Sequence, residues 1–218
     1  MSANSHNGEF KLIVVSSPDG FDHELRDVKE MFEAGLEYFH VRKPKFSTSR
    51  LRRYLSKIDK KYHNRIVLHT HHELSVTFKV RGIHLTRRHL SKKVFWSWLQ
   101  KMYMKLRRPN IETTVGFHTL TDLKENNPGY SYVFLSPVFD SISKVGYKST
   151  FNEESLREIL SETSFKVIAM GGVDESKIMQ AKEWGFSGVA VLGSIWKAKD
   201  PVEKFNQIKQ LCKQIQNM

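Results

Sequence analysis

Eight short apolar runs, each of strand length, recur from one end of the chain to the other with helix-like stretches between them. The runs are KLIVVS (11–16), EYFHVR (37–42), RIVLHT (65–70), GIHL (82–85), ETTVGFH (112–118), YVFLS (132–136), FKVIAM (165–170) and GVAVL (188–192). The intervening segments include HELRDVKEMFEAG, TSRLRRYLSKIDKK, KKVFWSWLQKM, NEESLREIL, ESKIMQAKEWG and PVEKFNQIKQLCKQI, with apolar positions three or four apart. Parallel strands return to the same sheet edge only through a crossover, and a helix of this size is the usual one. Strict alternation therefore predicts a parallel sheet, and eight units predict its closure. The runs are rich in Val and Ile and almost continuously apolar, as strands covered on both faces require. The expected fold class is α/β, a single (β/α)8 TIM barrel, with an open doubly wound sheet as the alternative.

A chain of 218 residues sits within the roughly 200–250 residues that suit one such barrel. No composition break or low-complexity linker divides it, so residues 9–218 are expected to form one barrel domain behind a mobile N-terminal tail at 1–8. Asp200 before Pro201 predicts a capped final helix with proline in its first turn, and Gly185 after Trp184 predicts a left-handed helix end.

Hydrophobic residues make up 39% and charged residues 27%, which excludes collagen-like and disordered classes. No apolar stretch approaches the roughly 18–20 residues of a membrane span, and MSANSHNGEF lacks the layout of a signal peptide. A cytoplasmic location without membrane contact is expected. The lone Cys212 cannot form an internal disulfide, which agrees with a reducing compartment. The formal charge of +12 favours anionic partners without choosing among them. The basic stretches from Arg50 to Lys61 and from Lys101 to Arg108 read as solvated helix faces, so a nucleic-acid partner is not favoured. A homo-oligomer is compatible with everything above.

Barrel chemistry sits on the loops that follow the strands. Gly171 and Gly172 follow the seventh run, and Gly193 and Ser194 follow the eighth. Glycine lets backbone approach a ligand closely, and helix-start amides point donors at anionic oxygens. Loops after strands seven and eight are common phosphate sites, so these four residues are candidate phosphate ligands, with tight turns as the plain alternative.

AMGGV at 169–173 followed by GVAVLGSIWKAKDP at 188–201 resembles the end of the thiamin phosphate synthase and thiazole tautomerase (TenI-type) superfamily. The resemblance continues upstream in order through HVRK (40–43), RGIHL (81–85), VGFH (115–118) and SPVFDSISK (136–144), nearly the whole chain. It implies a barrel that holds a thiazole phosphate at Gly171, Gly172, Gly193 and Ser194. It also implies that Ser141, Ser143 and Lys144, on a loop after strand six, contact the phosphorylated substrate, a role that suits hydroxyl donors and an ammonium.

Other positions depart from the family pattern. Arg42 matches an arginine of the family, and alternation puts His40 on its face, toward the barrel mouth. Synthases carry glutamine at the place of His40 and lysine at the place of Pro44, so Lys43 or Lys45 would have to substitute in gripping a pyrophosphate. Two aspartate positions implied to hold magnesium are replaced, with His69 and Thr70 after the third strand and His89 after the fourth. The run His69, Thr70, His71, His72 invites a zinc reading, but no separately spaced Cys or His set completes a familiar pattern, and no metal is expected there. His118 closes the fifth strand and matches the histidine that moves a proton in the tautomerase branch, though synthases also carry histidine there.

These residues lead to a tautomerase-like isomerase of thiamin biosynthesis that needs no cofactor, with His118 as acid/base and His40, Arg42, Lys43 and His69 beside the substrate. The alternatives are a Mg2+-dependent thiamin phosphate synthase, a transferase, and a non-catalytic regulatory barrel that binds a phosphorylated ligand.

Overall fold

The computed structural model describes residues 9–18, 23–86, 102, 106–124, 129–140 and 151–216. The expected tail at 1–8 and the helix-like stretch KKVFWSWLQKM, apart from Met102, lie outside the described residues. Eight strands form one closed, all-parallel barrel in chain order, as the alternation requires. They are β1 (Lys11–Val15), β2 (Tyr38–Val41), β3 (Ile66–Leu68), β4 (Gly82–Leu85), β5 (Glu112–Phe117), β6 (Tyr132–Leu135), β7 (Val167–Met170) and β8 (Gly188–Val191). β8 pairs back onto β1 with Lys11 opposite Gly188, which closes the ring.

The outer helices described are α1 (Glu24–Glu33), α2 (Thr48–Ser56), α3 (Leu74–Phe78), α4 (Glu153–Glu162), α5 (Ile178–Glu183), α6 (Gly193–Trp196) and α7 (Pro201–Gln216). α7 buries Phe205, Ile208, Cys212 and Ile215, spaced three, four and three residues apart, so one stripe faces the barrel. Burial pushes the Cys212 thiol up to about 12, which leaves it without thiolate reactivity at neutral pH. Asp200 Oδ1 accepts from the amides of Val202 and Glu203 at 3.0 and 2.9 Å, the expected cap. Gly185 ends α5 at φ +98°, where any other residue would be strained. Among the described residues no helix is long and apolar enough to cross a membrane.

Side-chain alternation divides the core in two. Val14, Phe39, Ile66, Ile83, Val115, Val133, Val167 and Val189 point outward into the large cluster under the helices. Inward-pointing Ile13, Val15, Phe134, Ile168 and Ala190 fill one side of the barrel. The opposite side, from β2 to β5, is filled by His40, His84 and Thr114 around Val67 of β3, all buried, with buried His69 just past β3. The barrel interior is therefore half apolar and half polar.

Candidate active site

The strand ends at β5, β6 and β7 converge through backbone contacts. His118 follows β5, is exposed, and places Nδ1 2.8 Å from the carbonyl oxygen of Ser136, just past β6. A carbonyl only accepts, so Nδ1 carries a proton, and the lone pair of the neutral ring falls on Nε2. The amide of His118 donates to Asp122 Oδ2 at 3.2 Å, which fixes the start of the loop. Past Ser136 the chain docks onto β7, with the amides of Val138 and Phe139 donating to the carbonyls of Met170 and Gly171 at 3.0 and 3.1 Å.

That docking depends on the glycine pair. Gly171 and Gly172 have φ of +91° and +67°. A Cβ on Gly172 would lie 2.4 Å from the carbonyl oxygen of Asp140 and 2.6 Å from that of Phe139. The pair thus seats the segment after β6 on the end of β7, a packing task that the phosphate reading of the sequence did not include. Next door, Met170 pairs with Ala190, so the β8 end carrying Gly193 and Ser194 lies beside Gly171. Ser194 Oγ is buried and has no hydrogen-bond partner among the described residues, although a buried hydroxyl ordinarily has one. This hydroxyl is a buried donor without an acceptor among the described residues. α6 starts here and is pinned to β1 by Trp196 Nε1 donating to the Val15 carbonyl at 2.7 Å.

On the other side, Arg42 is exposed past β2, its amide donating to Ser16 Oγ at 2.8 Å. Lys43 does not join it at the mouth, which corrects the sequence expectation. Its side chain is fully buried, paired with Glu24 Oε2 and donating to the Ser17 carbonyl at 2.6 Å. Glu24 Oε1 in turn accepts from the Ser17 amide at 2.9 Å. Burial raises the Glu24 carboxyl above its ordinary range even though Lys43 pulls it down. Pro44 turns the chain so that Lys45 is exposed instead.

His40 and His69 lie deeper than the mouth. His40 Nδ1 is 2.9 Å from His69 Nε2, and His40 Nε2 is 2.7 Å from the Tyr132 hydroxyl. Burial holds both imidazoles well below the usual histidine range, with His84 adding to the shift. His71 is elsewhere: β3 stops at Leu68, and His71 at φ +53° reaches Thr48 Oγ1 and the Phe46 carbonyl at 2.8 and 2.7 Å. The histidine run is thus split by a turn rather than displayed along a strand. Ser141, Ser143, Lys144 and His89 lie outside the described residues. Sequence reasoning missed the Glu24–Lys43 pair and the grouping of His84, Thr114 and Tyr132 with His40, although inward parity on β4, β5 and β6 was a usable signal.

A family model described as thiamine monophosphate synthase matches residues 11–195. The chain belongs to the thiamine monophosphate synthase family. A thiamine-phosphate synthase of Leptospira biflexa is 27% identical over 197 residues, covering 88% of this chain and 91% of its own. One from Archaeoglobus fulgidus is 21% identical over 212 residues, covering 94% and 93%. The crystal structure of a thiamine phosphate pyrophosphorylase from Bacteroides thetaiotaomicron is 30% identical with a TM-score of 0.74, covering 94% of this chain and 98% of that one. These names support an enzyme of thiamin biosynthesis, and they name a transferase rather than an isomerase.

Magnesium, which the synthase reaction implies, does not fit the residues present. The positions the resemblance gives to its ligands hold the imidazole of His69 and the hydroxyl of Thr70, and in sequence His89, which lies outside the described residues, whereas Mg2+ prefers anionic oxygen. No step through magnesium is derived.

Proposed function

We propose that this family member binds a thiazole phosphate and isomerises it by proton transfer at His118. The observation that carries the reading is the contact of His118 Nδ1 with the Ser136 carbonyl at 2.8 Å, which selects the tautomer of the neutral ring. The Ser136 carbonyl occupies Nδ1 and leaves Nε2 as a base at the barrel mouth, beside the β7 end. The phosphate would sit at Gly171, Gly172, Gly193 and Ser194, with the orphaned Ser194 hydroxyl as a donor. In the carboxythiazole phosphate, His118 Nε2 takes the ring-carbon proton of the exocyclic-ene tautomer, and a proton is returned to the exocyclic carbon. The product is the aromatic ring. Nothing is oxidised or expelled, so the reaction needs neither metal nor cofactor.

Positioned acid/base groups contribute typically 10²–10⁴-fold. His118→Ala is therefore expected to slow aromatisation of the thiazole phosphate by about 10²–10⁴-fold while leaving ligand affinity near wild type. An unchanged rate would remove His118 from the mechanism. The second reading, joining a pyrimidine pyrophosphate to the thiazole phosphate, is favoured by the names of the relatives. Magnesium-dependent pyrophosphate release that requires both substrates would establish it in place of the first. Tight binding of thiazole phosphate with neither activity would leave the non-catalytic barrel.

A further inference from the structure

The polar half of the barrel interior holds three imidazoles that proton transfer at His118 does not use. His40 on β2, His69 just past β3 and His84 on β4 come from three successive strands, each paired to the next. One ring nitrogen from each lies within 4.8 Å of the other two, and all three residues are buried. The rings of His69 and His84 stack at 4.1 Å and 23°, while that of His40 stands edge-on to both. We propose that His40, His69 and His84 form a site for one divalent transition-metal ion of the zinc class, with a further coordination position left for a water or ligand atom.

Zn–N bonds of about 2.0–2.1 Å at tetrahedral angles put ligand nitrogens about 3.3 Å apart. His40 Nδ1 and His69 Nε2 are 2.9 Å apart, so they need separate by only a few tenths of an ångström to admit an ion. His40 then keeps its proton on Nε2, where Tyr132 Oη accepts it at 2.7 Å, and His84 Nδ1 has Thr114 Oγ1 at 2.9 Å. Partners of this kind on the far side of a ligating ring fix its tautomer and orientation. No net proton is released, because each neutral imidazole carries one proton before and after binding.

The donor set decides the metal. Three imidazoles with no carboxylate in the group suit zinc, copper, iron or nickel, and do not suit magnesium or calcium. Three protein ligands also leave the coordination incomplete, the pattern of zinc sites that bind a water or a ligand atom. Gly116 is the inward residue on β5 beside His84 Nε2, which would stand 3.5 Å from a Cβ there, so glycine puts no side chain against that nitrogen from β5. With neutral ligands and the Arg42 guanidinium near His69, the ion keeps its full charge, which fits an anionic oxygen in the open position.

The test uses the whole chain stripped with a chelator and titrated with Zn2+ against a chromogenic competitor, and separately with Co2+ by visible absorption. One equivalent should bind, with the intense d–d bands of low-coordinate Co2+ and no thiolate charge transfer, which excludes Cys212. His69→Asn and His84→Asn should each weaken binding by more than about 100-fold, beyond the roughly 10–100-fold expected for Tyr132→Phe. His71→Asn should bind like wild type. His118→Ala should also retain the ion while losing proton transfer, which separates this site from the function proposed above. Absence of saturable 1:1 binding to the unaltered protein would overturn the proposal, as would equal loss in His71→Asn. Circular dichroism identifies any variant that fails to fold, and the Co2+ spectrum of the unaltered chain then decides by itself.

Discussion

Lys43→Met provides a severe test of the structure because the sequence placed Lys43 beside the substrate and the fold places it in a buried ion pair. The side chains of Lys43 and Glu24 are 0% and 2% exposed. Removing the ammonium leaves Glu24 Oε2 without its cation and the Ser17 carbonyl without the lysine donor, while Oε1 keeps the Ser17 amide. Stranding one partner of a buried pair costs about 3–5 kcal/mol, a large share of the roughly 5–15 kcal/mol stability of a domain. For a chain of this size that is a fall in Tm of about 6–20 °C. Glu24 already sits above its ordinary pKa because desolvation outweighs Lys43, so the pair itself adds little net stability. The double variant Glu24→Gln, Lys43→Met should therefore recover to within about 2 kcal/mol of wild type, since an amide can accept from the Ser17 amide and donate to the Ser17 carbonyl. In Lys43→Met the folded-state pKa of Glu24 rises further. Its penalty is full at neutral pH and fades as pH falls through that raised value, so variant and wild type converge on acidification. Urea unfolding at several pH values measures this. A single variant within about 1 kcal/mol of wild type, or a double variant no better than the single, would refute the buried-pair account; a raised KM at unchanged stability would return Lys43 to the substrate.

Three further outcomes are expected. His40 and His69 have folded-state pKa values well below 6.5, so in chelator-stripped protein stability is full above about pH 6.5 and falls by up to about 1.4 kcal/mol per pH unit per histidine below it; a flat urea midpoint between about pH 7 and 5.5 would contradict their burial as neutral rings. Gly172→Ala forces a Cβ against two carbonyl oxygens at φ +67° and should cost about 3 kcal/mol or more in denaturant unfolding, whereas Gly185→Ala, whose nearest neighbour is the Leu160 Cβ at 3.5 Å, should cost only about 1 kcal/mol; equal costs would show that the β6 segment does not rest on Gly172. Ser194→Ala should leave stability within about 0.5 kcal/mol and weaken thiazole phosphate binding by about 10–100-fold in calorimetry, the worth of one hydrogen bond to a charged group; unchanged affinity would place the phosphate elsewhere.

All eight strand segments were legible because each carries its signal in consecutive residues, such as the apolar run of Val167–Met170 between helical periods. Caps such as Asp200 and Gly185 were legible for the same reason, being local chemistry one to three residues from the helix they end. The β7 and β8 glycines could be located by the strands they follow, yet the sequence could not show that Gly172 faces the carbonyls of Phe139 and Asp140, which come from another strand end. Lys43 looked available because it adjoins Arg42 and the Pro44 position where synthases carry a lysine, and only the tertiary structure brings Glu24 of α1 to it.

The sequence by itself determined the architecture and the identity of the strand-end residues, because hydrophobic period and turn chemistry act over a few residues. Tertiary structure decided which of those residues meet. Barrel closure sets β2, β3 and β4 side by side at fixed register, and that register joins His40, His69 and His84, from separate stretches of chain, into one buried cluster. It also parts His71 from His69, two residues away, because β3 has ended at Leu68 and the backbone turns at His71, φ +53°. Adjacency across a sheet depends on pairing between distant segments, and no local pattern encodes the distance between two side chains that closure alone brings together.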